Sequence, residues 1–94
     1  MRVEWDIEKD RLNQKKHKIS FSEARGVFED PLHLSILDHR FSYFEERWLT
    51  IGQSKEHHLL VFANLFFNAE GEEIIRIISA REASLNERKQ YEKF

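Results

Sequence analysis

The sequence predicts an α+β domain built from a short N-terminal strand, two helices, a four-stranded antiparallel meander and a C-terminal helix. Three observations carry this reading. Residues 74–78 hold four isoleucines in five positions, the β-branched apolar run of a strand covered on both faces. Three more apolar segments, near residues 32–37, 47–51 and 59–67, precede it and are separated by turn-forming or polar stretches. Charged segments without glycine or proline flank the strands at 7–16 and 82–91, and such segments favour helix. Ninety-four residues suit one domain, spanning 1–94, with a single core.

Val3 and Trp5 form the first strand, and Asp6 is placed to cap a helix over residues 7–16. Ile7 and Leu12 are its apolar anchors, so its lysines face water. After a connector at 17–19, Ser20-Phe21-Ser22-Glu23 has capping-box spacing, with Ile19 and Ala24 placed as a hydrophobic staple. Phe21, Ala24, Val27 and Phe28 recur on one helical face, and Asp30-Pro31 ends the helix because a residue before proline disfavours the α region.

Leu32, Leu34 and Ile36 alternate with His33, Ser35 and Leu37, the period of a strand. Residues 38–46 make a polar connection in which Phe41, Tyr43 and Phe44 require packing partners. Residues 47–51 are a second strand with Arg47 on the side of Leu49 and Ile51, and Gly52-Gln53-Ser54-Lys55 turns the chain. The third strand, 59–67, is apolar apart from Asn64, and a hairpin turn at 68–71 leads into the isoleucine strand. Strict alternation along that last strand sets Ser79 and Arg81 on the face of Ile75 and Ile77, with Arg76 beside Ile74 and Ile78. Ser79-Ala80-Arg81-Glu82 fits a second capping box, opening a final helix whose stripe includes Ala83, Glu87 and Tyr91. Ser79 then has two readings: a helix cap, or, beside Arg81 at a helix N-terminus, part of a phosphate site.

The net charge of −2 argues against nucleic acid until its distribution is considered. Residues 9–18 hold Lys9, Arg11, Lys15, Lys16 and Lys18 against Asp10 alone, whereas 23–46 hold six acids against Arg25 and Arg40. The basic run is either a solvated helix face or a nucleic-acid contact. No cysteine is present, so disulfides and thiolate metal sites are excluded. With no apolar run of about 20 residues and no signal-like start, the expected location is the cytoplasm, without a membrane partner.

The five histidines, His17, His33, His39, His57 and His58, show no metal-ligand spacing, and no glycine-rich phosphate loop or nucleophile elbow occurs. Neither metal nor cofactor is expected. What remains is Lys16 and His17 after the first helix, Arg47 at a strand start, and Ser79 and Arg81. Cleavage of RNA by its own 2′-hydroxyl needs a proton acceptor, cations for the charge developing on phosphorus oxygens, and a donor for the leaving oxygen. This set can supply all three without metal. Each residue also reads as an ordinary surface group, and Glu46 as either a base or the partner of Arg47.

Taken in order, Trp5-Asp6 with Lys9 and Asn13, Lys16-His17, Phe21 with Ala24 and Phe28, Asp38, Glu46-Arg47, Gly52, Arg76-Ile77-Ile78-Ser79-Ala80-Arg81, Glu87-Arg88 and Tyr91 resemble the BrnT family across nearly the whole chain. These are toxins of bacterial type II toxin–antitoxin pairs that look like divergent RelE-type ribonucleases. The resemblance implies a RelE-like fold and a metal-independent endoribonuclease that inhibits translation and growth. It also implies an RNA substrate and a cognate DNA-binding antitoxin, BrnA-like, that represses the shared operon. Carried onto matching positions, it assigns Lys16, His17, Arg47, Ser79 and Arg81 to the catalytic set and Glu46, Arg76 and Tyr91 to supporting roles. By chemistry, Arg47 and Arg81 hold the phosphate, Lys16 stabilises charge or transfers a proton, and Ser79 orients. The alternative is a non-catalytic protein- or RNA-binding domain of the same fold. One departure stands out: Lys18 occupies a position where the family usually has glycine, which strains the turn if it needs a positive φ.

Overall fold

The computed structural model describes residues 1–41 and 45–93. Five strands, β1 (Arg2–Trp5), β2 (Leu34–Leu37), β3 (Trp48–Gln53), β4 (Leu59–Ala69) and β5 (Glu72–Glu82), form one sheet in the order β1-β5-β4-β3-β2. The expected meander runs from β2 to β5. The sheet is nevertheless mixed, because β1 adds to β5 in parallel, from Arg2 opposite Ile74 to Trp5 opposite Ile77. The β4–β5 hairpin turns through Glu70 and Gly71, with φ 53° and 79°. Two successive left-handed residues match the twist of the strands they join.

Three helices complete the α+β fold: α1 (Ile7–His17), α2 (Phe21–Arg25), continued by a 3₁₀ turn Gly26–Glu29, and α3 (Leu85–Glu92). Asp6 caps α1 by accepting from the N–H groups of Glu8 and Lys9, and Ser20 caps α2 by accepting from Glu23 N–H at 3.0 Å. Ile19, Phe21, Ala24 and Val27 pack against Leu60, Phe62, Ile77 and Ala80 on one face of the sheet, with Trp5 and Phe28 closing the cluster. Burying each large side chain of this kind contributes roughly 1.5–3 kcal/mol. Phe28 meets Phe62 edge-on at 5.4 Å, and Trp5 meets Phe21 likewise at 6.4 Å. Ser54 and His58 tie the β3–β4 turn to α2, each sharing Glu23 Oε2 at 2.7 Å. That bond raises the His58 pKa above its ordinary value.

The expected anchors of α1 are wrong. Ile7 is 81 % and Leu12 52 % exposed, and the one buried residue of the helix is Asn13. Polar contacts hold it instead, through Asn13 and through Asp10, whose carboxylate accepts from Phe21 N–H at 2.9 Å. The junction after the isoleucines also differs from expectation. β5 continues to Glu82 because Arg81 and Glu82 pair with Val61 and Leu60, so no helix starts at Ser79. The second capping box is Ser84 with Glu87: Ser84 Oγ accepts from Glu87 N–H at 3.2 Å, and Glu87 Oε1 accepts from Ser84 N–H at 2.8 Å. Two overlapping Ser-x-x-Glu strings compete, and the sheet hydrogen bonds of β5 decide between them. Ala83 lies before α3, outside its stripe. Gly52 and Gln53 remain in β3, and the turn begins at Ser54. Tyr43 and Phe44 lie outside the described residues.

Lys18 does occupy the left-handed region, with φ 62° and ψ 22°, and closes α1 by donating its N–H to Gln14 O at 3.0 Å. A side chain there costs about 1 kcal/mol that glycine avoids. Lys18→Gly is therefore expected to stabilise the protein by up to ~0.6 kcal/mol, once the greater freedom of glycine in the unfolded chain is subtracted. A urea melt showing equal or lower stability would show that the strain is relieved elsewhere.

Candidate active site

A β-bulge decides which residues meet. Asn64 pairs with Ile77 and Ala63 pairs with Ser79, so Ile78 is an extra residue on β5. An inserted residue shifts the alternation by one, and directly opposed residues share a face. Ser79 and Arg81 therefore turn away from Ile75 and Ile77. They sit with Ala63 and Val61, on the face that also carries Arg76 opposite Leu65. The division of the two arginines between faces, expected from strict alternation, is overturned.

Arg81 is the most strongly organised of the three. Its Nη1 and Nη2 donate to the two carboxylate oxygens of Glu87 at 2.7 and 2.8 Å, and Nη1 also reaches Glu82 O at 3.3 Å. Hydrogen bonding from Arg81, with help from Ser84 N–H and despite partial burial, lowers the Glu87 pKa to about 2. Glu87 thus takes the end of the guanidinium fork. The Nε–H and the second Nη2–H, on its side, have no partner among the described residues, and such a pair matches two phosphate oxygens. Arg76 is held by Glu4 at 3.0 Å and lies 5.3 Å from the Phe67 ring centroid. Ser79 is exposed on the strand and caps nothing.

Arg47 is half-buried immediately before β3, and its carbonyl accepts from Asp38 N–H at 2.7 Å. Carrying the register one step past Trp48 opposite Asn64 sets its backbone beside Leu65, whose other neighbour is Arg76. Two strand spacings, about 10 Å, then separate Arg47 and Arg76 along one row. Glu46, next to it, is exposed. Lys16 and His17 close α1, the first exposed and the second half-buried. They stand three and four residues after Asn13, so they share its stripe, and Asn13 is bonded to Ala80 of β5. Sequence reading had no sign of this link, which needs the register of α1 on β5.

Tyr91 is not with the arginines. Its hydroxyl donates to Asp30 Oδ2 at 2.6 Å, and burial together with this bond pushes its pKa up to about 12. Asp30 also accepts from the N–H groups of Gln53 and Leu32; burial opposes ionisation, but these bonds lower its pKa on balance. The sequence marked Asp30 only as a helix end. Between α3 and the sheet lies a groove of about 400 Å³, whose lining includes Leu34, Ile36, Leu49, Ile51, Val61 and Tyr91. It adjoins the Arg81–Glu87 pair, since Glu87 is also in its wall. Among the described residues, no three His, Cys, Asp or Glu side chains gather as a metal-ligand group, and no helix is long and apolar enough to cross a membrane.

The comparisons with known proteins agree with this architecture. In the crystal structure of the Brucella abortus ribonuclease toxin BrnT, 97 % of that chain superposes on 89 % of this one, with a TM-score of 0.59 and 22 % sequence identity. At that identity the likeness speaks for the fold. A comparison with curated proteins returned no match. The family model described as ribonuclease toxin, BrnT, of type II toxin–antitoxin systems matches residues 5–87, a span from the end of β1 into α3 that holds every site residue discussed except Tyr91. The chain belongs to the BrnT family of ribonuclease toxins of type II toxin–antitoxin systems.

Proposed function

We propose that this chain is a metal-independent endoribonuclease, RelE-like in its fold, that cleaves RNA in the cytoplasm and so inhibits translation. The observation that carries the reading is the bulge at Ile78, which gathers Arg76, Ser79 and Arg81 on one sheet face beside the α3 groove. In the reaction, the 2′-oxygen attacks the adjacent phosphorus and the bond to the 5′-oxygen breaks. A base takes the 2′-hydroxyl proton, and an acid protonates the leaving oxygen. The side edge of Arg81 binds two phosphate oxygens while Glu87 keeps the guanidinium plane from turning. Arg47 binds phosphate from the next part of the face, with Arg76 and Glu46 supporting. Ser79, no longer needed as a cap, orients the phosphate through its hydroxyl.

Lys16 and His17, on the turn of α1 after Asn13, supply proton transfer and charge stabilisation. An imidazole ring can accept a proton at one nitrogen and donate one from the other. Tyr91 acts at a distance, by fastening α3 and hence Glu87. The partner is a co-encoded antitoxin, BrnA-like and DNA-binding, whose contact with this face blocks RNA.

The test is to incubate purified protein with single-stranded RNA in excess EDTA and to identify the new ends. New 2′,3′-cyclic phosphate and 5′-hydroxyl termini are expected at the same rate as without chelator. Activity that disappears with EDTA and returns with added metal would overturn metal independence. Tight RNA binding with no new ends would favour the non-catalytic binding domain, a reading that the engagement of Arg81 by Glu87 also suits.

A further inference from the structure

We propose that Asn13 is a positioning residue for the ribonuclease site: its buried carboxamide clamps the end of α1, which carries Lys16 and His17, to the Ser79–Arg81 segment of β5. The inference rests on the ribonuclease reading above and adds a residue to which that reading gives no role.

The geometry starts from a gap in the sheet. β1 accompanies β5 only as far as Ile77, so among the described residues no strand lies beside the outer edge of β5 from Ile78 to Glu82. An open edge presents backbone donors and acceptors that demand partners. At Ala80 the partner is one side chain. Asn13 Nδ2 donates to Ala80 O at 2.8 Å, and Ala80 N–H donates to Asn13 Oδ1 at 3.1 Å, so the carboxamide imitates the missing strand. Nδ2 also donates to Ile19 O at 2.9 Å, just beyond the left-handed turn at Lys18. Asn13 is 7 % exposed, and all three bonds are made away from competing water.

These bonds have a directional consequence. Ala80 lies between Ser79 and Arg81 and points its side chain into the core, so its two neighbours point to the opposite face. Fixing its N–H and C=O fixes the roll of β5 next to the bulge, where a strand is most easily twisted. Lys16 and His17 lie one turn further along the Asn13 stripe, so the same bonds hold the turn that carries them. A carboxamide suits the place because it donates and accepts at once; a carboxylate would face Ile19 O and Ala80 O with an oxygen.

The experiment compares RNA cleavage by wild type, Asn13→Ala and a remote core variant, Val27→Ala, at a temperature where melting curves show all three folded. Asn13→Ala is expected to lower kcat by ~10- to 100-fold with less than about a threefold change in KM, as loss of an orienting partner or a small misplacement does. It should also speed hydrogen exchange at Ala80 N–H and shift the Arg81 Nε–H resonance. Val27→Ala should do none of these. Should alanine prevent folding, Asn13→Ser, neutral and too short to span Ile19 O and Ala80 at once, serves the same comparison. Equal losses of kcat in the Asn13 and Val27 variants, or an unchanged kcat with a freed Ala80 amide, would reduce Asn13 to an edge cover and overturn the proposal. No cleavage by wild type would instead overturn the ribonuclease reading, whatever the resonances show.

Discussion

Arg81→Ala is expected to lower RNA cleavage by at least ~100-fold while the protein stays folded. Removing one preorganised donor from a developing oxyanion commonly costs ~3 kcal/mol of transition-state stabilisation, and Arg81 is held in a fixed plane by Glu87. Stability should change little. The Arg81 side chain is 43 % exposed, exposed ion pairs contribute roughly 0–1 kcal/mol, and Ser84 still caps α3 through Glu87. Arg81→Lys should recover only part of the loss. Lysine keeps the charge but cannot bind a carboxylate at one end and a phosphate along its side. Arg47→Ala is expected to behave in the same way. Steady-state cleavage of a short RNA, with circular dichroism to confirm folding, measures both effects, and wild-type turnover in either variant would remove that arginine from the site.

Gly52→Ala is expected to destabilise the fold by about 1–3 kcal/mol, the range found when a methyl group is forced into a packed interior. A Cβ on Gly52 would lie 2.6 Å from Val27 Cγ1, 2.9 Å from His33 Cβ and 3.2 Å from Asp30 Oδ2. The first two contacts are impossible without movement, and the third presses on the carboxylate that holds Tyr91 and Gln53. Part of the cost should therefore appear as looser docking of α3. Gly26→Ala is the control. Its nearest neighbour would be the flexible Lys55 Cγ at 3.5 Å, an ordinary contact, and stability should remain within ~0.5 kcal/mol of wild type. Denaturant melts of the two variants decide this: equal stabilities would mean that the β3 backbone shifts freely away from Val27.

Local signals reported local facts well. Asp6 and Ser20 are caps because a side-chain oxygen two or three residues before free N–H groups satisfies them wherever the chain goes. The alternation around Leu34 and Ile36 and the apolar run of β4 became strands because burial on one or both faces imposes those periods. Lys18 was legible as a strained turn through the glycine expected there, and it is left-handed. The family was legible too, and the match over residues 5–87 shows it.

The site itself was legible as residue types but not as an arrangement. Arg76, Ser79 and Arg81 stood out as polar groups on an apolar strand; alternation placed Arg76 correctly beside Ile74 but assigned Ser79 and Arg81 to the wrong face, because one residue of bulge at Ile78 reverses everything after it. Pairing with Val61 and Leu60 kept Ser79-Ala80-Arg81-Glu82 extended, although its spacing equals that of the true capping box five residues later. Asn13 looked like one polar residue among many on a charged helix, and only the folded chain gives it three buried hydrogen bonds, two to the open edge of β5 at Ala80 and one to Ile19 O. By itself the sequence determined the strands, the caps at Asp6 and Ser20, the meander and the family, all of which depend on neighbours in the chain or on a pattern repeated along it. The tertiary structure decided the faces, the register and the partners of each charged group. Those depend on which hydrogen bonds are left open when distant segments meet, and no periodicity within a segment records that.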